Sequence, residues 1–409
     1  MKGRTENMAH RRTTILAGVA ATLMACTPGT ADVDPSSNRF LIYNYDRMAG
    51  TYQLEPVQIA TIRDVRSADG ELFNILGGGS LATPIADPQT EDEWRRSLVV
   101  EGATPPTIEY TIDSDGTVIP WDFDSAMMLT VYHHLEQAAQ YFDTIPLDGI
   151  EGPNGPLRTG EFSRQVVGKV PCYYYPQIEL GGLPLPLFTD NAAYAFTLNA
   201  FLVPPRFSAT DAVPIYANRG VMTHEYSHAV FNRLVHNSNP VPDYILNADN
   251  WEDVSVNELR GLDEGAADIF AYLDVADPNF IAPSITVDIG RDMSVAKFYD
   301  EEMLAVFSGT SAGATDEATP QAPVHDLGAV IAAMFFQLQQ DTAGTLTEDE
   351  LATVMVRSLR AINDPRPGWR LVEFLDVFHD ELPEEVRAGA CALLAERFPS
   401  LAGELACLL

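Results

Sequence analysis

In the stretch VMTHEYSHAVFNRL, residues 221–234, two histidines stand four residues apart and a glutamate directly follows the first. The apolar residues around them recur at helical spacing, and residues four apart in a helix lie on one face, one turn from each other. His224 and His228 can therefore aim ring nitrogens at a single point, where a metal ion can be held. Glu225 projects to one side of the pair, within reach of a water on that ion without being a ligand itself. The pattern H-E-x-x-H thus supplies two imidazole ligands and a general base from about a turn and a half of helix.

A catalytic metal site needs a third protein ligand and an open position. ELRGLDEGAADIFAYL, residues 258–273, offers Glu264 and Asp268, again four apart on a helix. Glu264 reads as the ligand. Asp268 reads as a carboxylate that accepts the outer N–H of a ligating histidine, which fixes the tautomer and increases its basicity. Asp263 is the less suitable ligand, because its neighbour Glu264 has the partner at helical spacing. The ordinary alternative, two satisfied helix histidines, is weakened by this matched acidic pair.

The elements that must position these residues follow from periodicity. Apolar spacing predicts an amphipathic helix over 124–145 and further helices over 219–236, 255–274, 325–340, 347–362, 370–381 and 383–397, with Thr347 and Glu350 as a capping box. FLIYNY, PVQIATI and TIEYTI read as strands before residue 120, and RQVVGKV, NAAYAFTL and NAFLV as strands between 163 and 205. His133 and His134 are adjacent, so a helix turns them about 100° apart and they cannot ligate together; they read as surface or core-edge residues. His236 and His379 have no evident partner and default to the surface.

These residues carry a family resemblance. HEYSH followed by DEGAAD resembles the gluzincin metallopeptidases, the group of thermolysin and fungalysin, and NRGVMTHEYSHAVFNRL is most similar to the fungalysin version. VHDLGAVIAAMFFQL, residues 324–338, resembles the family's downstream segment, which aligns His325 with the histidine that stabilises the transition state. The 124–145 helix is similar to the long helix that precedes the ligand helix in such enzymes. NAAY resembles their substrate-binding edge strand, so Asn191 and Ala192 are candidate substrate-binding residues, with a purely structural role as the equal alternative. The resemblance spans about residues 185–340. It departs from the family in lacking a recognisable inhibitory propeptide before residue 120 and a calcium cluster of the thermolysin kind.

The chain has 409 residues, 58 acidic against 25 basic, and a formal charge of −33 spread along its length. Such a surface repels nucleic acid and anionic lipid, so neither is expected as a main partner. Residues 1–25 read as a cleaved leader, with Arg11 and Arg12 before a short apolar run. LMAC, ending at Cys26, resembles the bacterial lipobox, which makes Cys26 a lipidation site; ordinary secretion is the alternative. Residues 26–38 then form a tether. Cys172, Cys391 and Cys407 remain, and in an oxidising compartment Cys391 and Cys407 are the favoured disulfide, against three buried thiols. Asp113 and Asp115 in IDSDGT lack the later ligands of an EF-hand loop, so they read as an acidic turn and calcium has no supported site.

The expected fold is α+β, a thermolysin-like zincin with an N-terminal mixed α/β part, a C-terminal mainly helical part and the active site at the seam. Its segments are a strand-rich region 39–120, an α/β catalytic subdomain 121–236 and a helical subdomain 237–409. The expected function is a zinc-dependent endopeptidase, exported from a bacterial cell and touching the membrane only through its lipid. Zinc is held by His224, His228 and Glu264, Asp268 supports a ligand, Glu225 assists attack of water on a peptide bond, and His325 stabilises the oxyanion. The alternatives are a binding or scaffolding module without turnover, and a hydrolase restricted to short peptides or one partner. The oligomeric state is left open.

Overall fold

The structure, a computed structural model, describes residues 38–46, 51–85, 90, 93, 96–180, 183–186, 191–203, 213–236, 254–285, 289–308, 322–363, 365 and 368–409. The leader, Cys26 and all but the last residue of the tether lie outside them. The class is α+β.

Among the described residues, three mixed sheets and a short hairpin make the β part. One four-stranded sheet has the order β2 (Thr51–Gln58), β1 (Arg39–Asp46), β9 (Thr117–Pro120), β8 (Tyr110–Ile112). The six-stranded sheet that matters most for the site has the order β15 (Ala193–Ala195), β16 (Ala200–Val203), β12 (Val170–Tyr174), β5 (Phe73–Gly77), β4 (Asp69–Gly70), β3 (Ile62–Asp64). A second four-stranded sheet joins β14 (Leu183–Pro186), β13 (Gln177–Leu180), β6 (Ser80–Ala82) and β7 (Val99–Glu101), and β10 (Glu151–Gly152) pairs with β11 (Gly155–Pro156). Strands from both sides of residue 120 share the six-stranded sheet: β5 runs parallel to β12 with Ile75 opposite Cys172. The strand-rich region is therefore built into the same sheet as the segment that follows it.

Among the described residues there are eight α-helices, in chain order α1 (Phe123–Thr144), α2 (Arg219–Val235), α3 (Val254–Val275), α4 (Glu301–Phe307), α5 (Ala322–Asp341), α6 (Glu348–Ile362), α7 (Leu371–Glu381) and α8 (Glu384–Arg397). Their starts are locally encoded. Asp122 caps α1 by accepting from Ser125 N at 2.8 Å, and Thr347 with Glu350 forms the capping box of α6. Helix α1 runs between the β1 sheet and α2: Tyr43 N donates to Thr130 Oγ1 at 3.0 Å, and the Phe142 and Tyr226 rings lie 5.5 Å apart. No described helix is long and apolar enough to cross a membrane.

Three expectations are corrected. RQVVGKV is not one strand: Ser163–Val167 form a wide helical turn, closed by Gly168 N donating to Ser163 O, and strand begins only at Val170. Val166 and Val167 are both buried, which alternation cannot achieve, and Ser163 is held by the Asp143 carboxylate. His133 and His134 are buried, because α1 is covered on both flanks and a 100° turn exposes neither. Burial lowers their pKa values to about 3 and about 4. His236 is also buried, at the C-terminal end of α2, with its pKa lowered to about 4 by burial, and His379 is mostly covered. Cys391 and Cys407 are joined in a disulfide, and Cys172 is a buried free thiol.

Candidate metal centre

Helix α2 is anchored before it reaches its histidines. The N-cap residue Asn218 donates through Nδ2 to Phe280 O and Ser284 Oγ, both at 2.8 Å. One turn on, Thr223 Oγ1 donates to Asp274 Oδ2 at 2.6 Å, and Arg219 Nε meets the same carboxylate oxygen at 2.9 Å. Asp274 lies on α3, so these bonds fix the helix of the two histidines against the helix of Glu264. The buried carboxylate of Glu258 ties α3 to α7 in turn, accepting from Arg370 Nε and Leu371 N at 2.8 Å and from Tyr299 OH at 3.0 Å.

The two Nε2 atoms of His224 and His228 come to 3.1 Å from each other. Their Nδ1 atoms face away, and each meets its own carboxylate: His224 Nδ1 lies 3.0 Å from Asp268 Oδ1 and His228 Nδ1 lies 2.8 Å from Asp263 Oδ1. A carboxylate acceptor places the imidazole proton on Nδ1 and leaves a lone pair on Nε2. At the point where the two Nε2 atoms meet, a proton shared between them or a metal ion can stand. Glu264 Oε2 completes the group, 3.6 Å from His224 Nε2 and 3.9 Å from His228 Nε2. The three candidate ligand atoms lie within 4.8 Å of one another, His224 buried and the other two partly exposed, so the group is compatible with one metal ion.

The electrostatics agree with the donor set. Burial disfavours charge on His228, but the Asp263 and Glu264 carboxylates outweigh it and raise its pKa to about 10, so the surroundings favour a positive charge at this point. Burial likewise opposes ionisation of Glu264, yet His228, His325 and Arg291 hold its carboxyl well below the usual range. The guanidinium of Arg291 is buried and bridges two acids, with NH2 2.5 Å from Asp268 Oδ1 and 3.2 Å from Glu264 Oε2, and Nε 3.1 Å from Asp268 Oδ2.

Around the ligand group stand the other candidates. Glu225 is buried beside His224, outside the ligand set, and its Oε2 accepts from Tyr194 N at 2.8 Å. Tyr194 belongs to β15, an end strand of the six-stranded sheet whose ladder partner is β16. That strand therefore turns its outer backbone edge toward α2. Asn191 is exposed and Ala192 buried, both just before β15, and the described hydrogen bond from this strand into the site runs through Tyr194. His325 stands in the first turn of α5, about one-third exposed, with Nε2 3.2 Å from Glu264 Oε1. Its placement depends on a close helix crossing: a Cβ on Gly328 would lie 2.7 Å from Glu264 Cβ, so only glycine lets α5 approach α3 here.

His224, Glu225, His228, Glu264, Asp268 and His325 are thus brought together. Sequence reasoning missed three participants. Asp263, weighed from the sequence only as a ligand, is the partner of His228. Arg291 and Tyr194 N reach the site from distant segments, and their sequence signals are weak: a cation in an acidic chain, and the closing tyrosine of NAAY, whose side chain rather than backbone draws attention. No protein-family model matches this chain, and no curated protein matches it.

Proposed function

We propose that this chain is a zinc-dependent endopeptidase of the thermolysin and fungalysin type, with zinc held by His224, His228 and Glu264. The observation that carries the proposal is the paired arrangement of His224 and His228, Nε2 to Nε2 at 3.1 Å with each Nδ1 on a carboxylate, beside a glutamate outside the ligand set. Two imidazoles and one carboxylate are the protein ligands that catalytic zinc takes, leaving its fourth position for water. When bound, zinc would supply Lewis acidity, polarising a peptide carbonyl and making water acidic enough to attack near neutral pH.

The remaining chemistry belongs to the chain's own residues. Glu225 is held through Oε2 by Tyr194 N, which leaves Oε1 to accept the proton of the attacking water and return it to the departing amine. His325 stands across Glu264 from the histidine pair and donates from its ring to the oxyanion of the tetrahedral intermediate. Arg291 and the two supporting aspartates keep the ligands in place. An extended peptide docks along the outer edge of β15, Asn191 and Ala192 leading into it, by backbone hydrogen bonding of the kind used in strand addition.

The Cys391–Cys407 disulfide supports an exported protein, since such bonds persist in oxidising compartments. The proposal keeps the leader over residues 1–25 and lipidation at Cys26. Metal analysis of the purified protein, alongside cleavage of a peptide library with and without a chelator, tests the function. Stoichiometric zinc and chelator-sensitive cleavage within peptides are expected; a metal-free preparation that cleaves equally well would overturn it.

A further inference from the structure

The disulfide lies beside a third potential ligand. Cys391 stands on α8, Cys407 on the final turn Ala406–Leu408, and His379 on the last turn of α7. The two sulfurs and a ring nitrogen of His379 lie within 4.8 Å of one another. Three separate backbone segments thus bring soft and borderline donors to one point, far along the chain from His224, His228 and Glu264.

Two further features prepare this point for an ion. The His379 ring already has outer partners, with Nε2 3.2 Å from the carbonyl oxygen of Arg387, one helical turn before Cys391, and Nδ1 3.3 Å from Asp380 Oδ1. Ligation by one of these nitrogens replaces its present hydrogen bond, and the bond on the other then holds the imidazole in its tautomer. The Cys407 turn is also held independently of the S–S bond, because Ala406 N donates to Asp376 Oδ1 on α7 at 2.9 Å. Cutting the disulfide therefore leaves Cys407 near its partners. Asp376 and Asp380 add negative charge that favours a cation.

We propose that reduction of the Cys391–Cys407 disulfide opens a second metal site, in which two thiolates and His379 hold a thiophilic ion such as zinc or copper(I). A phosphine reductant supplies the electron pair: disulfide, phosphine and water give two thiols and the phosphine oxide. Each thiol then loses its proton as its sulfur binds the ion. In the oxidised chain the same sulfurs are committed to each other and the site is closed. The proposal does not depend on the peptidase reading.

Cobalt(II) titration of the full chain, oxidised and phosphine-reduced, distinguishes this site from the first centre, which has no sulfur ligand. The reduced chain is expected to take up a further equivalent of cobalt and to develop sulfur-to-cobalt charge-transfer absorption in the near ultraviolet. The oxidised chain shows neither, Cys407→Ser loses both, and His379→Ala binds the further equivalent more weakly. Equal cobalt uptake by the oxidised and reduced chains overturns the proposal. So does absorption that survives in the Cys391→Ser/Cys407→Ser double variant, which would assign it to Cys172, or unchanged affinity in His379→Ala.

Discussion

His228 Nδ1 lies 2.8 Å from Asp263 Oδ1, while its helix neighbour His224 turns its own Nδ1 to Asp268 at 3.0 Å. The two candidate ligand histidines thus have separate acidic supports, both on α3, one before and one after Glu264 in the chain. Losing either support should weaken metal binding by about 10 to 100-fold. Zinc affinities of Asp263→Asn and Asp268→Asn, measured by competition with a chromogenic chelator, check this. Wild-type affinity in one variant removes that residue from the site.

Gly328 lets α5 approach the backbone of Glu264. Gly328→Ala would place a Cβ 2.7 Å from Glu264 Cβ and 2.9 Å from Gly265 N. The overpacking should cost about 1–3 kcal/mol of stability and move the ligand carboxylate, lowering metal affinity as well. Gly389→Ala is the control, because nothing lies within 4 Å of a Cβ there, and alanine should stabilise that helix by about 0.5–1 kcal/mol. Thermal melts with and without zinc separate the two effects. Unchanged zinc affinity in Gly328→Ala would show that Glu264 does not depend on this crossing.

His325 is predicted to act on the reaction and not on metal retention. Its Nε2 contacts Glu264 Oε1, the oxygen turned away from the two histidines. His325→Ala should lower kcat about 100 to 1,000-fold, with KM shifted less and bound zinc retained. Steady-state kinetics on one peptide together with metal analysis decide it; loss of zinc instead would make His325 a support for Glu264.

Acid should destabilise the fold partly through His236. Its folded pKa is lowered to about 4 by burial, against an ordinary 6.5. Between those values the unfolded chain binds more protons, so stability rises with pH, and it is lost as pH falls from about 6.5 to about 4. The full effect is on the order of 3 kcal/mol. Glu136 and Asp274, whose pKa values burial raises, act in the opposite sense, so the comparison must be with a variant. Urea melts in the presence of a chelator should show a shallower pH dependence for His236→Leu than for wild type. Parallel curves would contradict this.

The helices and ligands were legible because both rest on local periodicity. The expected ranges 219–236 and 255–274 differ by at most a residue at each end from Arg219–Val235 and Val254–Val275. Glu264 and Asp268 were readable for the same reason. What failed depended on distant segments. The burial of His133 and His134 comes from a sheet whose strand β1 begins more than eighty residues earlier. Arg291 enters from a short turn with no period of its own, and the role of Asp263 is hidden because helical spacing can pair one carboxylate with one partner but cannot show that the two Nδ1 atoms diverge.

The central claim is that Glu225 takes a proton and does not hold the metal. Glu225→Gln preserves the shape of the side chain and the hydrogen bond from Tyr194 N but cannot accept the proton. Bound zinc and kcat should be measured on the same preparation of this variant and of wild type. The account predicts a full complement of zinc and nearly complete loss of turnover; a zinc-loaded Glu225→Gln enzyme with near-normal turnover would contradict it.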